Sequence, residues 1–194
     1  MLTRRSFSGA VFAFGTAGIP MPAFADLALA KRLLEPGTLP ERVFGNPDAP
    51  VTIIGYASVT CGFCAKFHVE TWPSLKAKYV ETGKVRFIIR EFPLDPLAMA
   101  GFMLSRCADD DKWYPLLDRL YQTKEDWAHA DNPVEAMVKT LSPYGMTPEL
   151  FNSCVTRSDL FDKVYAVSER GKKEFGVNAT PTFFINGVQR QGAL

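Results

Sequence analysis

Two thiols separated by two residues, Cys61-Gly62-Phe63-Cys64, are the residues of this chain best suited to chemistry. On a helix, positions three apart share a face, so both sulfurs can fall within the roughly 4–7 Å Cα separation a disulfide needs. Such a bond can open and close without refolding. If Cys61 opens the helix, its sulfur lies beside unsatisfied backbone N–H groups at the positive end of the helix dipole, where thiolate is favoured over thiol. Cys61 is then the expected nucleophile. Cys64, one turn further in and less accessible, is the expected resolving thiol, which attacks the mixed disulfide and releases the partner.

Other chemistries use the same tetrapeptide. Half of a zinc site is one, but the remaining cysteines, Cys107 and Cys154, are distant and form no second pair, and only His68 offers a further ligand. Haem attachment needs a histidine directly after the second cysteine, and Ala65 stands there. A purely structural disulfide closing so small a loop would add little stability. A strand before the motif and a helix after it favour redox exchange, and a metal- or thiol-binding module using Cys61, Cys64 and His68 is the alternative from another class. His68, four residues after Cys64, could share its helical face as a general base or metal ligand, but is expected to face solvent, and His129 to lie in a polar loop.

The elements that must position the pair can be read outward from it. At 194 residues and 47% apolar, the chain fits one domain with a real core. Residues 1–25 read as a cleaved export signal, with Arg4 and Arg5, an apolar stretch from Ala10 to Ile19, and Ala23-Phe24-Ala25 as the cleavage site. The paired arginines resemble a twin-arginine signal, with a general secretory signal as the other route. Without those residues the chain carries 20 Lys plus Arg against 21 Asp plus Glu, a net charge of −1, and no basic patch recommends nucleic acid. Four cysteines in an exported chain imply an oxidising compartment, here the periplasm. There Cys107 and Cys154, both on helical patterns, are expected to form a structural disulfide, the other possibility being two buried free thiols. No metal and no cofactor beyond the cysteine pair is called for.

Residues 26–45 read as an N-terminal extension and linker, with a short helix from Leu27 to Leu34 and an edge strand around Arg42 to Phe44. Val51 to Ala57 is short, β-branched and almost continuously apolar, as in a strand buried on both faces of a parallel sheet. Phe67, Trp72, Leu75 and Tyr79 follow helical spacing up to Gly83, with a kink expected at Pro73, which has no N–H for the carbonyl of Val69. Val85 to Phe92 is the next strand, so residues 46–96 make a βαβ unit. Residues 97–175 show only helical patterns: Leu97 to Cys107, Trp113 to Gln122, Val134 to Leu141, Glu149 to Val155 and Leu160 to Phe175. In residues 176–194, strands Thr182 to Ile185 and Val188 to Gln191 flank Asn186-Gly187, a strong hairpin signal. The expected architecture is α/β: a central mixed sheet completed by the βαβ and ββ halves, with the helical block inserted between them.

Two blocks in this order resemble the DsbA family of thioredoxin-fold disulfide oxidoreductases. They are Ala49-Pro50-Val51-Thr52-Ile53 through Tyr56-Ala57-Ser58 to Cys61-x-x-Cys64-Ala65-Lys66-Phe67-His68, and Ala179-Thr180-Pro181-Thr182-Phe183-Phe184-Ile185-Asn186-Gly187. The resemblance implies a cis bond before Pro181, which packs beside the active cysteines, and a Thr180 whose backbone receives an extended substrate. Gly62 and Phe63 would complete the substrate contacts. It also implies a monomeric periplasmic protein-disulfide oxidoreductase acting on unfolded polypeptides, with a membrane quinone-linked thiol oxidase or a thiol reductase as redox partner. A dithiol oxidase is the first reading; an isomerase or reductase of the same fold is the alternative. Three positions depart from the pattern. Gly62-Phe63 replaces the Pro-His of strong oxidants. Gly55 stands six residues before Cys61, where the family carries a buried acid, so proton handling at Cys64 is expected to be slow unless a water fills the vacated space. The family's final C-terminal helix is expected to be absent after Leu194.

Overall fold

The computed structural model describes residues 23–192. The export-signal reading lies outside these residues except for its last three positions, which open helix α1 (Ala23–Leu33). Strand β1 (Arg42–Phe44) and strand β2 (Val51–Ala57) follow, and then a long helical stretch from Gly62 to Val80. Strand β3 (Val85–Glu91) precedes the helices α4 (Pro96–Cys107), α5 (Asp110–Gln122), α6 (Lys124–Ala128), α7 (Pro133–Leu141), α8 (Pro148–Val155) and α9 (Ser158–Phe175). Strands β4 (Thr182–Ile185) and β5 (Val188–Gln191) close the chain, with the short helix α6 and a 3₁₀ turn at Ser142–Tyr144 as the elements unmarked in the sequence patterns.

The five strands form one sheet in the order β1-β3-β2-β4-β5. Only β2 and β3 are parallel, with Val51 opposite Val85 and Ala57 opposite Glu91; the other neighbours run antiparallel. Because side chains alternate across a strand, consecutive apolar residues serve two cores. Ile53, Phe87, Ile89 and Phe183 pack under the helical block, while Ile54, Ile88 and Phe184 pack on the opposite face. That second face is joined by Leu29 and Leu33 of α1 and by Phe175 and Val177 at the end of α9. The run of β-branched and aromatic residues in β2 is thus the signature of burial on both sides.

Pro73 shapes the long helix after the active pair, though by widening its turns more than by a simple kink. The stretch divides into α2 (Gly62–Lys66), a π-helical turn Phe67–Thr71, α3 (Trp72–Leu75) and a second π turn Lys76–Val80. Trp72 donates its N–H five residues back, to the carbonyl of Phe67, in the turn that precedes Pro73. A wider turn relieves the ring's conflict with the carbonyl four residues before it. Among the later helices, Thr147 caps α8 by accepting the N–H of Leu150 at 3.2 Å, with Pro148 in the first turn.

Candidate active site

Cys61 is the N-cap of α2, with extended backbone (φ −77°, ψ 120°), and its carbonyl receives the first helical bond from Ala65 at 3.0 Å. Its Sγ accepts the N–H of Cys64 at 3.4 Å, so the sulfur itself fills the capping role of a serine or aspartate oxygen. Cys64, one turn later, is only 2% exposed, and its Sγ accepts the N–H of Ser58 at 3.5 Å. The two thiols therefore sit in different environments although three residues apart.

Their ionisation follows. Cys61 is held down at about 5, chiefly by the hydrogen bond from the Cys64 thiol, with the Thr180 side chain and the amides of Cys64 and Phe63 adding to it and partial burial opposing it. Cys64 is pushed far above an ordinary thiol, first by burial and then by the thiol and charge of Cys61. The pair thus loses its first proton from the outer sulfur and keeps the second on the inner one.

Thr180 and Pro181 come from the far end of the chain. The Thr180–Pro181 bond is cis, and as a thiol Cys61 donates to the Thr180 carbonyl at 3.3 Å. The Thr180 hydroxyl oxygen is buried and makes no hydrogen bond within geometric limits, yet its side chain lies close enough to Cys61 to favour the thiolate. Phe63 is 66% exposed beside the pair, and Gly62 has open space where a Cβ would point. The loop before Cys61 is tied to the helical block: Ser58 Oγ bonds Thr60 Oγ1 at 3.2 Å, and Thr60 donates to Asp95 Oδ2 at 2.5 Å while Asp95 Oδ1 caps α4. Nothing in the local sequence marks this Thr60–Asp95 link.

One expectation for the motif's surroundings is corrected. His68 does not face solvent: it is 5% exposed, its ring stacks on Tyr121 with centroids 4.6 Å apart, and Nε2 lies 2.6 Å from Asp118 Oδ1. The wide π turn that begins at Phe67 carries it toward α5, and Asp118 sits on that helix. The space over Gly55 is partly filled and partly open. A Cβ there would meet the Phe183 ring at 3.1 Å and the Phe87 ring at 3.3 Å, so aromatic side chains fill most of the place a carboxylate would take. What remains is a cavity of about 20 Å3 lined by Gly55, Cys64, His68, Tyr121 and Pro181 among others.

Cys107 and Cys154 lie in the helical block, where they are joined as a disulfide between α4 and α8 with Cα atoms 5.7 Å apart. Cys61 and Cys64 are both free thiols. Among the described residues no group of three or more His, Cys, Asp or Glu converges as a metal site, and no helix is long and apolar enough to cross a membrane.

The Thioredoxin_4 family profile, described as thioredoxin, matches residues 38–194. A relative from Rickettsia bellii, provisionally named protein-disulfide oxidoreductase, is 29% identical over 152 residues, which are 78% of this chain and 59% of that protein. The chain thus spans little more than half the length of the first curated relatives it matches. The crystal structure of alpha-DsbA1 from Wolbachia pipientis superposes with a TM-score of 0.76 at 28% identity, covering 85% of this chain and 89% of that one. BdbD from Bacillus subtilis, at 18% identity, 77% and 83% coverage and a TM-score of 0.66, shares the fold. By its sequence profile, its sheet with an inserted helical block, and its paired cysteines facing a cis-proline, the chain belongs to the Thioredoxin_4 family as a DsbA-like member.

Proposed function

We propose that this protein is a thiol-disulfide oxidoreductase that accepts electrons from the thiols of exported polypeptides, acting as a dithiol oxidase in the periplasm. The observation that carries the reading is the asymmetry of the pair, an outer Cys61 titrating at about 5 against a buried inner Cys64. A thiolate stabilised in the dithiol form makes the corresponding disulfide easier to reduce, which is the property of an oxidant. The relative named protein-disulfide oxidoreductase and the DsbA likeness support the same chemistry.

In the proposed cycle a substrate thiolate attacks Cys61 Sγ of the Cys61–Cys64 disulfide, and Cys64 leaves. A second substrate thiolate then attacks the substrate sulfur of the mixed disulfide, so that the substrate departs oxidised and Cys61 departs as a thiolate. An extended chain lying along the Thr180 backbone, with Gly62 and the exposed Phe63 beside it, would present its sulfur to Cys61. Disulfide is restored by a membrane quinone-linked oxidase, and the protein works as a monomer exported by a twin-arginine or general secretory route.

Equilibration of the Cys61/Cys64 pair against glutathione tests the direction. An oxidase should give a potential above about −180 mV, whereas a value near −270 mV would assign it to the reductases.

A further inference from the structure

Cys64 has a proton to lose each time it attacks, and to regain each time it leaves, and it is buried. The strand position that could have served it holds Gly55, with aromatic rings packed over it, and the neighbouring β3 position opposite Gly55 is Ile89. Of the residues lining the small cavity beside Cys64, His68 and Tyr121 are the other ionisable ones. Tyr121 is ruled out as a base near neutrality, since burial and the nearby sulfurs push its hydroxyl well above its ordinary range. His68 is left.

We infer that His68, held by Asp118, is the proton acceptor and donor for Cys64, and that this pair replaces the acid missing at Gly55. This rests on the thiol-disulfide exchange reading. His68 reaches both sides of the barrier. It lines the 20 Å3 cavity with Cys64, a space of the size one water molecule occupies. On its other side it lines a second, open cavity with Asp118, Tyr114, Lys76 and Gln122, through which a proton reaches solvent.

Asp118 fixes how the ring works. Its carboxyl is kept ionised: burial opposes this, but the hydrogen bond and charge of His68, the amide of Gln122 at 2.8 Å and the charge of Lys76 outweigh it. A carboxylate 2.6 Å from Nε2 requires that nitrogen to carry a proton, which leaves Nδ1 as the basic nitrogen of the neutral ring. Asp118 thereby holds the ring in one tautomer and orientation, as an aspartate does in a hydrolase triad. Tyr114 bonds from the same side: its OH lies 3.4 Å from Nε2 and accepts Trp72 Nε1 at 2.6 Å.

The resolving step then balances. In the mixed disulfide between Cys61 and a partner, the Cys64 thiol gives its proton to His68 Nδ1 across the cavity that both residues line. Cys64 Sγ forms a bond to Cys61 Sγ, the bond from Cys61 to the partner sulfur breaks, and the partner leaves as a thiolate. The protein is oxidised by two electrons and the partner reduced by two. In the reverse direction, imidazolium protonates the departing Cys64 thiolate.

His68→Asn and Asp118→Asn, each in the full chain, test this. Reduced protein is mixed with oxidised glutathione and quenched in acid at intervals, and mass spectrometry separates the glutathione adduct at Cys61 from the closed disulfide. His68→Asn should slow closure of the adduct by on the order of 100-fold at neutral pH and move the pH dependence of closure upward, while adduct formation, which Cys61 governs, changes less than about twofold. Asp118→Asn should also slow closure. A folded His68→Asn protein, judged by circular dichroism, whose closure rate and pH profile match the parent would overturn the inference; so would a slowed closure with an unshifted profile, the mark of a purely structural role. If parent protein forms no adduct at all, it is the exchange reading that fails, not the relay.

Discussion

The chain holds two cysteine pairs that share a compartment and differ in almost every physical respect. Cys107 and Cys154 are 47 positions apart and bridge two helices in the inserted block. Cys61 and Cys64 are three apart at a helix start, one half-exposed and one buried, and both free. A bond closing a long loop removes much unfolded-chain entropy; one closing a four-residue loop removes little, and so can be made and broken at small cost to the fold. Environment completes the division. The Cys64 thiol, Thr180 and the helix amides favour the thiolate at Cys61, whereas the Cys107–Cys154 bond is packed against the main core. On the proposed reading, spacing makes Cys61/Cys64 the pair that switches, and the donors around Cys61 make its sulfur the one that starts.

Removing single sulfurs should give the largest effects. Cys61→Ala should abolish exchange with reduced polypeptides, whereas Cys64→Ala, offered disulfide-bonded polypeptides, should attack them through Cys61 and accumulate mixed disulfides that no Cys64 thiol resolves, seen on non-reducing gels; adducts forming on Cys64 of the Cys61→Ala protein would reverse the assigned roles. Next in size, Cys107→Ala with Cys154→Ala should lower unfolding free energy in urea by about 4 kcal/mol, from a loop of 47 positions. The glutathione equilibrium of the active pair should stay where it was. A shift in that equilibrium would show the two pairs to be coupled.

A smaller effect tests the electrostatics. Thiolate absorbance of the reduced protein should rise with a midpoint of about 5, and Cys64→Ala should raise that midpoint, since the Cys64 thiol is the largest stabiliser of the Cys61 anion. Because the folded midpoint lies below the ordinary thiol value of 9.0, the unfolded chain holds more protons between the two. Stability from this group is therefore complete above about pH 9 and is lost as pH falls through about 5. Reduced protein that loses no stability relative to Cys61→Ser over that window would contradict the sign. Smallest is Phe63→Ala, which should change stability by less than about 0.5 kcal/mol, as expected for an exposed side chain. It should raise the concentration of unfolded polypeptide needed for half-maximal exchange, and an unchanged value would remove Phe63 from the substrate surface.

Local signals were enough to read the strands, most helices and the redox motif, because each rests on nearest-neighbour physics. Short, nearly continuous runs of apolar and β-branched residues mark β2 and β3, Asn186-Gly187 marks the final hairpin, and Thr147-Pro148 marks the start of α8. The lone exception among the secondary elements with consequences is the π turn at Phe67–Thr71. Pro73 announced a disturbance there, but not that the turn would widen and carry His68 inward. His68 read as a surface residue because its partner, Asp118, lies 50 positions away, on a helix of the inserted block. The same holds for the place above Gly55. An absent side chain is visible in the sequence, but that Phe183 and Phe87 occupy the space is decided by strands β4 and β3 meeting β2 from either side. Sequence alone determined which sulfurs can exchange; only tertiary packing decided which groups surround them, since burial, partner acids and cavities arise where distant segments meet.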